Sequence, residues 1–140
     1  MRLLKTLTVI CACGSTKTFA KCCGRFLSGS EHAKTPEQLM RSRYTAHALG
    51  GYGEYLVSSW LSAVELGLTA AAFGEHTVDW QKLDVLDTSQ HGDDGEVEFK
   101  AYFYADAKSH GDMQVHHERS VFKRIKGIWF YIEAKNSAGE

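Results

Sequence analysis

The stretch CACGSTKTFAKCCG, residues 11–24, contains every cysteine of this 140-residue chain. One residue separates the first two cysteines, eight residues follow, and the last two are adjacent. Four thiolates are the ligand set of a closed, tetrahedral, structural zinc site. The spacing therefore predicts that one zinc ion is bound by Cys11, Cys13, Cys22 and Cys23.

The residues between the cysteines favour a compact local structure. Gly14 allows the chain to reverse, and Ser15 is a suitable cap for a short helix that runs to Cys22. Neighbouring helical residues point about 100° apart, so we expect Cys22 and Cys23 to share a metal only where that helix ends, at Gly24. Three basic side chains would offset the negative charge of a zinc tetrathiolate: Lys17, Lys21 and Arg25.

Two other uses of the thiols remain open. Disulfides would require an oxidising compartment. A redox role for Cys22 and Cys23 is also open, although the usual redox signature is C-x-x-C, which this chain lacks. The beginning, MRLLKTLTVICAC, imitates a lipoprotein signal only loosely, because Lys5 interrupts its apolar stretch. We therefore expect an apolar lead-in or first strand there, and a cytoplasmic protein.

The composition is that of a globular chain with one real core, since 44% of the residues are hydrophobic. The formal net charge is −1, without the basic excess that general phosphate attraction requires, so nucleic-acid binding is not expected. No run approaches the roughly 20 apolar residues of a membrane span.

The pattern C-x-C-G-S, a short spacer and C-C resembles the SEC-C motif, best known from the tail of the bacterial preprotein translocase SecA. There the motif binds zinc and contacts partner proteins, so the resemblance implies a zinc cofactor and a protein partner. This chain has Ala12 and Thr16 where the motif usually has proline and glycine. Neither difference removes a metal ligand.

Two longer stretches are similar to the YchJ family of small bacterial proteins: CCGRFLSGSEHAKTPEQLMRSRY, residues 22–44, and HERSVFKRIKGIWFYIEA, residues 117–134. The resemblance implies a cone-shaped domain like nuclear transport factor 2, with helices packed on a curved antiparallel sheet, after the zinc knuckle. SSWLSAVELGLTAAAF, residues 58–73, departs from the family pattern, in which a His-Pro pair follows the tryptophan. The resemblance therefore does not imply that this chain has the function of that His-Pro pair.

Local patterns independently favour helices in the first half of the chain. Thr35 is the predicted cap of a helix with Pro36 at its first position, and Gln38 completes a T-x-x-Q capping box. Arg41 and Arg43 are expected on the exposed side of this helix, because they lie off the centre of its apolar stripe. That stripe consists of Met40, Tyr44, His47 and Ala48. A second helix is expected to carry Tyr52, Leu56 and Trp60 at four-residue spacing.

From about residue 80 the hydrophobic period changes to two, which predicts strands near 81–88, 95–105, 113–123 and 128–133. Helices followed by an antiparallel meander make an α+β layer pair. The predicted organisation is a zinc knuckle (8–25), a small, polar linker (26–34), the α+β domain (35–133) and a tail (134–140).

The third strand, MQVHHERSVF at 113–122, suggests a second site. His117 and Arg119 alternate in register with apolar residues, which predicts that both face the core while His116, Glu118 and Ser120 face away. They then either bond to backbone carbonyls or an acidic partner, or line the mouth of a cone-shaped pocket. The other candidate lining residues are Tyr44, His47, Trp60 and Trp129.

Two functions from different classes follow. The sequence shows no nucleophile with a base at recognisable spacing, no phosphate-binding glycine loop and no H-E-x-x-H, so the first hypothesis is a non-enzymatic adaptor whose knuckle contacts a protein partner. The second, which the resemblance to nuclear transport factor 2 implies, is a small-molecule-binding protein or an enzyme of the isomerase, dehydratase or hydrolase type. His117 would transfer protons and Arg119 would hold an anion. Nucleic-acid contact through the knuckle is disfavoured, because no array of base-stacking aromatics accompanies it.

Overall fold

The structure is a computed structural model that describes residues 9–73, 78–106, 108 and 110–135. The first eight residues of the predicted lead-in and residues 136–140 of the predicted tail lie outside that range. A 3-10 turn, Phe19–Lys21, precedes helices α1 (Cys23–Leu27), α2 (Pro36–Leu49), α3 (Gly53–Ser58) and α4 (Ala70–Phe73). Strands β1 (Asp79–His91), β2 (Asp94–Asp106), β3 (His110–Ile125) and β4 (Ile128–Ala134) follow. None of the helices in the described ranges is long and apolar enough to cross a bilayer.

The strands form one antiparallel meander in the order β1-β2-β3-β4, as predicted. The turn between β3 and β4 consists of Lys126 and Gly127, both with positive φ, which is the backbone of the tight hairpin turns that match strand twist. Register shifts interrupt each strand pair, for example between Val121 and Phe122. Such bulges bend a strand and increase its twist, so the sheet curves.

Helix α2 begins as predicted, with one shift in its capping. Thr35 Oγ1 accepts a hydrogen bond from Gln38 N at 3.1 Å, and Pro36 occupies the first helical position. The Gln38 side chain accepts from Lys34 N at 2.8 Å instead of from the Thr35 backbone. The reciprocal box therefore reaches one residue further towards the N-terminus than the motif implies.

Helix α2 is buried on more than one side. Met40 and Tyr44 belong to the core, together with Val97 and Phe122 of the sheet. The expectation that Arg43 is exposed is wrong, because its side chain is enclosed between α2, α3 and the sheet and donates to the Leu56 backbone carbonyl. A helix covered on several sides buries polar residues that an amphipathic pattern assigns to solvent.

The second predicted helix is shorter than expected. It ends at Ser58, and the next residues lie along the edge of β4, where Tyr131 N donates to Ser59 O at 2.8 Å and Leu61 N donates to Tyr131 O at 3.0 Å. Trp60 therefore lies outside the helix, with its ring 5.1 Å from that of Tyr131. The edge strand accepts this segment because its backbone groups would otherwise lack partners.

The first turn of helix α2 packs tightly against the sheet. A Cβ added to Gly95 of β2 would lie 3.0 Å from Pro36 Cβ and closer still to Pro36 Cγ. The absence of a side chain at this position therefore sets how closely the helix packs on the strand.

Gly95→Ala is expected to lower the free energy of unfolding by about 1–3 kcal/mol, because the added methyl group overpacks this contact. Urea denaturation measures the change. In the double variant Gly95→Ala/Pro36→Ala the ring atom that clashes is absent, so the combined loss should be smaller than the sum of the two single losses. Strict additivity would show that the contact does not limit the packing of the helix.

Candidate metal centre and apolar cavity

The four cysteine sulfurs lie close together in a buried cluster. All four Sγ atoms are within 4.8 Å of one another, and those of Cys13 and Cys22 are 3.6 Å apart. Tetrahedral zinc with Zn–S bonds of about 2.3 Å separates its sulfurs by roughly 3.8 Å. No cysteine is more than 7% exposed, and none is in a disulfide. The donor set and its spacing suit one metal ion.

A small hairpin presents the first two cysteines. Ile10 and Thr18 form an antiparallel bridge, and Cys11 N donates to Lys17 O at 2.9 Å. At its tip Gly14 N donates to Cys11 O at 3.3 Å, with Gly14 at a φ of +85° that L side chains rarely adopt. The predicted chain reversal is therefore present, and it brings the side chain of Cys13 back towards that of Cys11.

The second pair lies at the start of a helix, so the prediction that it lies at a helix end is wrong. A 3-10 turn replaces the helix expected from Ser15, and α1 begins at Cys23. Cys22 precedes that helix with non-helical angles, φ −126° and ψ −116°, which lets the adjacent side chains converge. Gly24 continues α1, where an added Cβ would lie 2.7 Å from Phe19 O.

Helix α2 holds the cluster through two polar side chains. Thr45 Oγ1 donates to Cys23 Sγ at 3.3 Å and lies 3.8 Å from Cys11 Sγ. Arg41 Nη1 donates to Cys13 O at 2.6 Å. Sequence reasoning missed both residues, although their four-residue spacing places them on one helix face. Hydroxyls and backbone contacts of this kind orient metal ligands.

Positive charge lies beside the cluster, as expected, but from a partly different set of residues. Lys17 and Arg25 line a crevice next to Cys22 and Cys23, and Arg41 of α2 lines the same crevice. Lys21 is exposed and is not among the residues that line the crevice.

Crowding of the thiols gives them opposed acidities. Hydrogen bonds from Cys13 and Cys23 lower the pKa of Cys11 to about 3. Hydrogen bonds to Cys11 and Cys13, followed by burial, raise the pKa of Cys23. A cation at the centre of the cluster would favour the thiolate forms.

A second candidate site is a cavity of about 440 Å³ between α2 and the inner face of the sheet. Three of the predicted lining residues, Tyr44, His47 and Trp60, do line it. The Trp80 and Phe103 rings lie 4.9 Å apart in its wall. A volume of this size falls within the range of small-molecule sites.

The other three predicted residues do not line the cavity. His117 and Arg119 lie on the outer face of the sheet, where His117 Nε2 is 2.7 Å from Glu98 Oε2 and Arg119 Nη1 is 3.2 Å from Glu98 Oε1. Trp129 is 2% exposed in the core, and its Nε1 donates to Lys34 O at 3.3 Å. The sequence prediction took the face of β3 that carries Met113 and Val115 as the inner one, but both residues are about half exposed. The fully buried Phe122 lies on the opposite face, which is the inner face of the sheet.

The residues expected to face away from the core, His116, Glu118 and Ser120, line the cavity. Glu118 accepts hydrogen bonds from Ser120 Oγ at 2.7 Å and Tyr131 Oη at 3.0 Å, and its Oε1 is 2.8 Å from His116 Nε2. Burial acts to raise the pKa of Glu118, but these hydrogen bonds hold it below its ordinary value. The hydrogen bond to Glu118 raises the pKa of His116.

Known proteins resemble the chain over most of its length. A UPF0225 protein of Vibrio parahaemolyticus is 36% identical over 126 residues, covering 88% of this chain and 72% of that protein. A UPF0225 protein of Photorhabdus laumondii is 38% identical over 131 residues, covering 91% and 80%.

Solved structures agree with the fold. The solution structure of a SEC-C motif containing protein from Rhodopseudomonas palustris gives a TM-score of 0.79 at 38% identity, covering 89% of this chain and 96% of that one. The crystal structure of a SEC-C motif containing protein from Psychrobacter arcticus gives 0.77 at 26% identity, covering 96% and 85%.

The model of the YchJ middle NTF2-like domain matches residues 35–134, the region of α2 and the sheet. The cysteine cluster precedes this region, as the SEC-C motif of the resemblance implies. The chain therefore belongs to the YchJ family, with an NTF2-like α+β domain after a SEC-C cysteine motif.

Proposed function

We propose that the protein is a zinc-binding, non-enzymatic adaptor whose structural zinc knuckle presents a small basic surface to a protein partner. The observation that supports it most directly is the cluster of four buried cysteine sulfurs within 4.8 Å of one another. Zinc is the metal that the SEC-C likeness favours, and a tetrahedral set of four thiolates suits it.

The metal would be structural, because four protein ligands leave no open coordination position for a substrate. It would connect the hairpin of Cys11 and Cys13 to the start of α1. The contacts of Thr45 and Arg41 would then attach the assembled knuckle to α2. A reducing compartment such as the cytoplasm accompanies this proposal, since thiolate ligands must stay reduced.

The surface offered to a partner consists of the exposed residues around the cluster. Lys17 and Lys21 are exposed there, and the exposed residues between and beside them include Ala12 and Ala20. Small side chains allow close approach of another chain, and the two lysines favour an acidic segment. The partner predicted by this chemistry is an acidic protein surface.

Cys23→Ser should abolish zinc retention and lower the free energy of unfolding by about 4 kcal/mol or more, because loss of a structural metal is among the most destabilising single changes. Metal analysis of the purified protein and thermal unfolding measure both effects. Ala12→Ser, at an exposed position between two ligands, is the matched control and should retain one zinc ion per chain. Retention of full zinc content and stability by Cys23→Ser would contradict the structural role.

Partner binding is expected to depend on Lys17 and Lys21. The double variant Lys17→Glu/Lys21→Glu should keep its zinc yet lose a partner that the unaltered protein captures by cross-linking, because the charge of the surface is reversed. Lys108→Glu, at an exposed position in the connection between β2 and β3, is the control and should still capture it. Capture of the same partner after removal of the knuckle would refute the adaptor role.

A further inference from the structure

Arg43 is a buried cation without a carboxylate partner among the described residues. It is 8% exposed, and its Nη1 donates to Leu56 O at 2.7 Å and to Ser59 Oγ at 2.6 Å. A guanidinium has five N–H donors, and those on Nε and Nη2 meet no acceptor in the described structure. A buried charge with no carboxylate partner is unfavourable, and two of the three guanidinium nitrogens of Arg43 retain unused donors.

The free nitrogens of Arg43 reach accessible space. Within the described ranges, Trp60 Nε1 is the only fully buried side-chain nitrogen or oxygen that lacks a hydrogen bond. Nε and Nη2 of Arg43 also lack a hydrogen bond, so they are not fully buried. Arg43 lines the apolar cavity, and aromatic rings border its guanidinium, with the centroid of the Tyr131 ring 4.9 Å from Cζ. Because Arg43 is a lining residue, we expect its unused donors to face the cavity.

The charge of Glu118 attracts Arg43, but no hydrogen bond or ion pair joins its carboxylate to the guanidinium in the described structure. Glu118 is already engaged by His116, Ser120 and Tyr131. Burial lowers the pKa of Arg43 to about 10, which still leaves it charged at neutral pH.

The remaining titratable groups in the wall are neutral. Burial, and then the charge of Arg43, lower the pKa of His47 to about 4. Burial raises the pKa of Tyr44 to about 12 and also raises that of Tyr131. The oxygens of Glu118 are occupied by His116, Ser120 and Tyr131, whereas Arg43 keeps unused donors on Nε and Nη2.

The rest of the wall is largely aromatic. Trp80, Phe99, Phe103 and Phe122 contribute to it, and Phe122 is fully buried. Flat apolar walls favour a ring, because aromatic pairs gain from edge and offset contacts beyond the area they bury. A volume of about 440 Å³ accommodates one small ring system with a short side chain.

We propose that this cavity binds a small aromatic monocarboxylate, with its ring against Trp80, Phe99 and Phe103 and its carboxylate on Nε and Nη2 of Arg43. Arginine suits this recognition because its planar fork matches the two oxygens of a carboxylate. His116, whose side chain is 49% exposed, lines the cavity beside Glu118 and can hydrogen-bond a polar substituent on the ring. None of the four cysteines lines this cavity.

The test compares 3-phenylpropionate with its neutral amide on the full zinc-loaded chain, using calorimetry and nitrogen-15 NMR. The acid should bind at least tenfold more tightly than the amide, and it should shift the resonances of Arg43 and Tyr131. Cyclohexanepropionate, which has the same charge without an aromatic ring, should bind several-fold more weakly. Equal binding of acid and amide, or absence of binding by the acid at millimolar concentration, would overturn the proposal.

Variants locate the site. Arg43→Met should remove the preference for the acid over the amide, whereas Arg119→Met, on the outer face of the sheet, should leave it unchanged. Arg43 also joins α2 to α3, so circular dichroism must show that its variant is folded; if it is not, the acid and amide comparison on the unaltered chain still decides the matter. Loss of the preference in Arg119→Met, or shifts confined to the outer face, would refute the proposed site.

Discussion

The packing of the cysteine cluster against one face of helix α2 is the constraint on which the rest of the structure depends. Thr45 and Arg41 meet the cysteine cluster on that face, while Met40 and Tyr44 of the same helix pack towards the sheet. The cysteines and the sheet residues consequently belong to one continuous buried cluster. A metal bound by the four thiols would therefore also stabilise α2, the helix that covers the cavity and contributes Arg43 to its wall.

Features that depend on residues close together in the sequence were predictable. The grouping of the cysteines, the cap at Thr35 with Pro36, and the period-two strands each depend on residues a few positions apart, and each is present. The face of β2 that carries Val97 and Phe99 was also predictable, because every second residue there is apolar and buried. Local patterns predict only an α+β layer pair. The cone shape of the domain was predicted from the family resemblance.

Features that depend on contacts between residues distant in the sequence were not predictable. On β3 the apolar residues Met113 and Val115 lie on the outer face of the sheet. Alternation with these residues therefore placed His117 and Arg119 on the inner face, although they lie on the outer one. It placed His116 and Glu118 on the outer face, although they line the cavity. Arg41 and Arg43 resemble exposed helix residues until the knuckle and α3 cover them. The side chains of Cys22 and Cys23 converge because a helix begins at Cys23. The spacing of the cysteines does not show whether a helix begins or ends at this pair.

The central claim, that one metal ion holds the four thiols and thereby the knuckle, is tested most directly by native mass spectrometry of the intact protein beside the same sample denatured. The account predicts one zinc ion per chain in the native spectrum, absent after denaturation, and a denatured mass with all four cysteines reduced. A metal-free native protein whose mass shows two disulfides would contradict it.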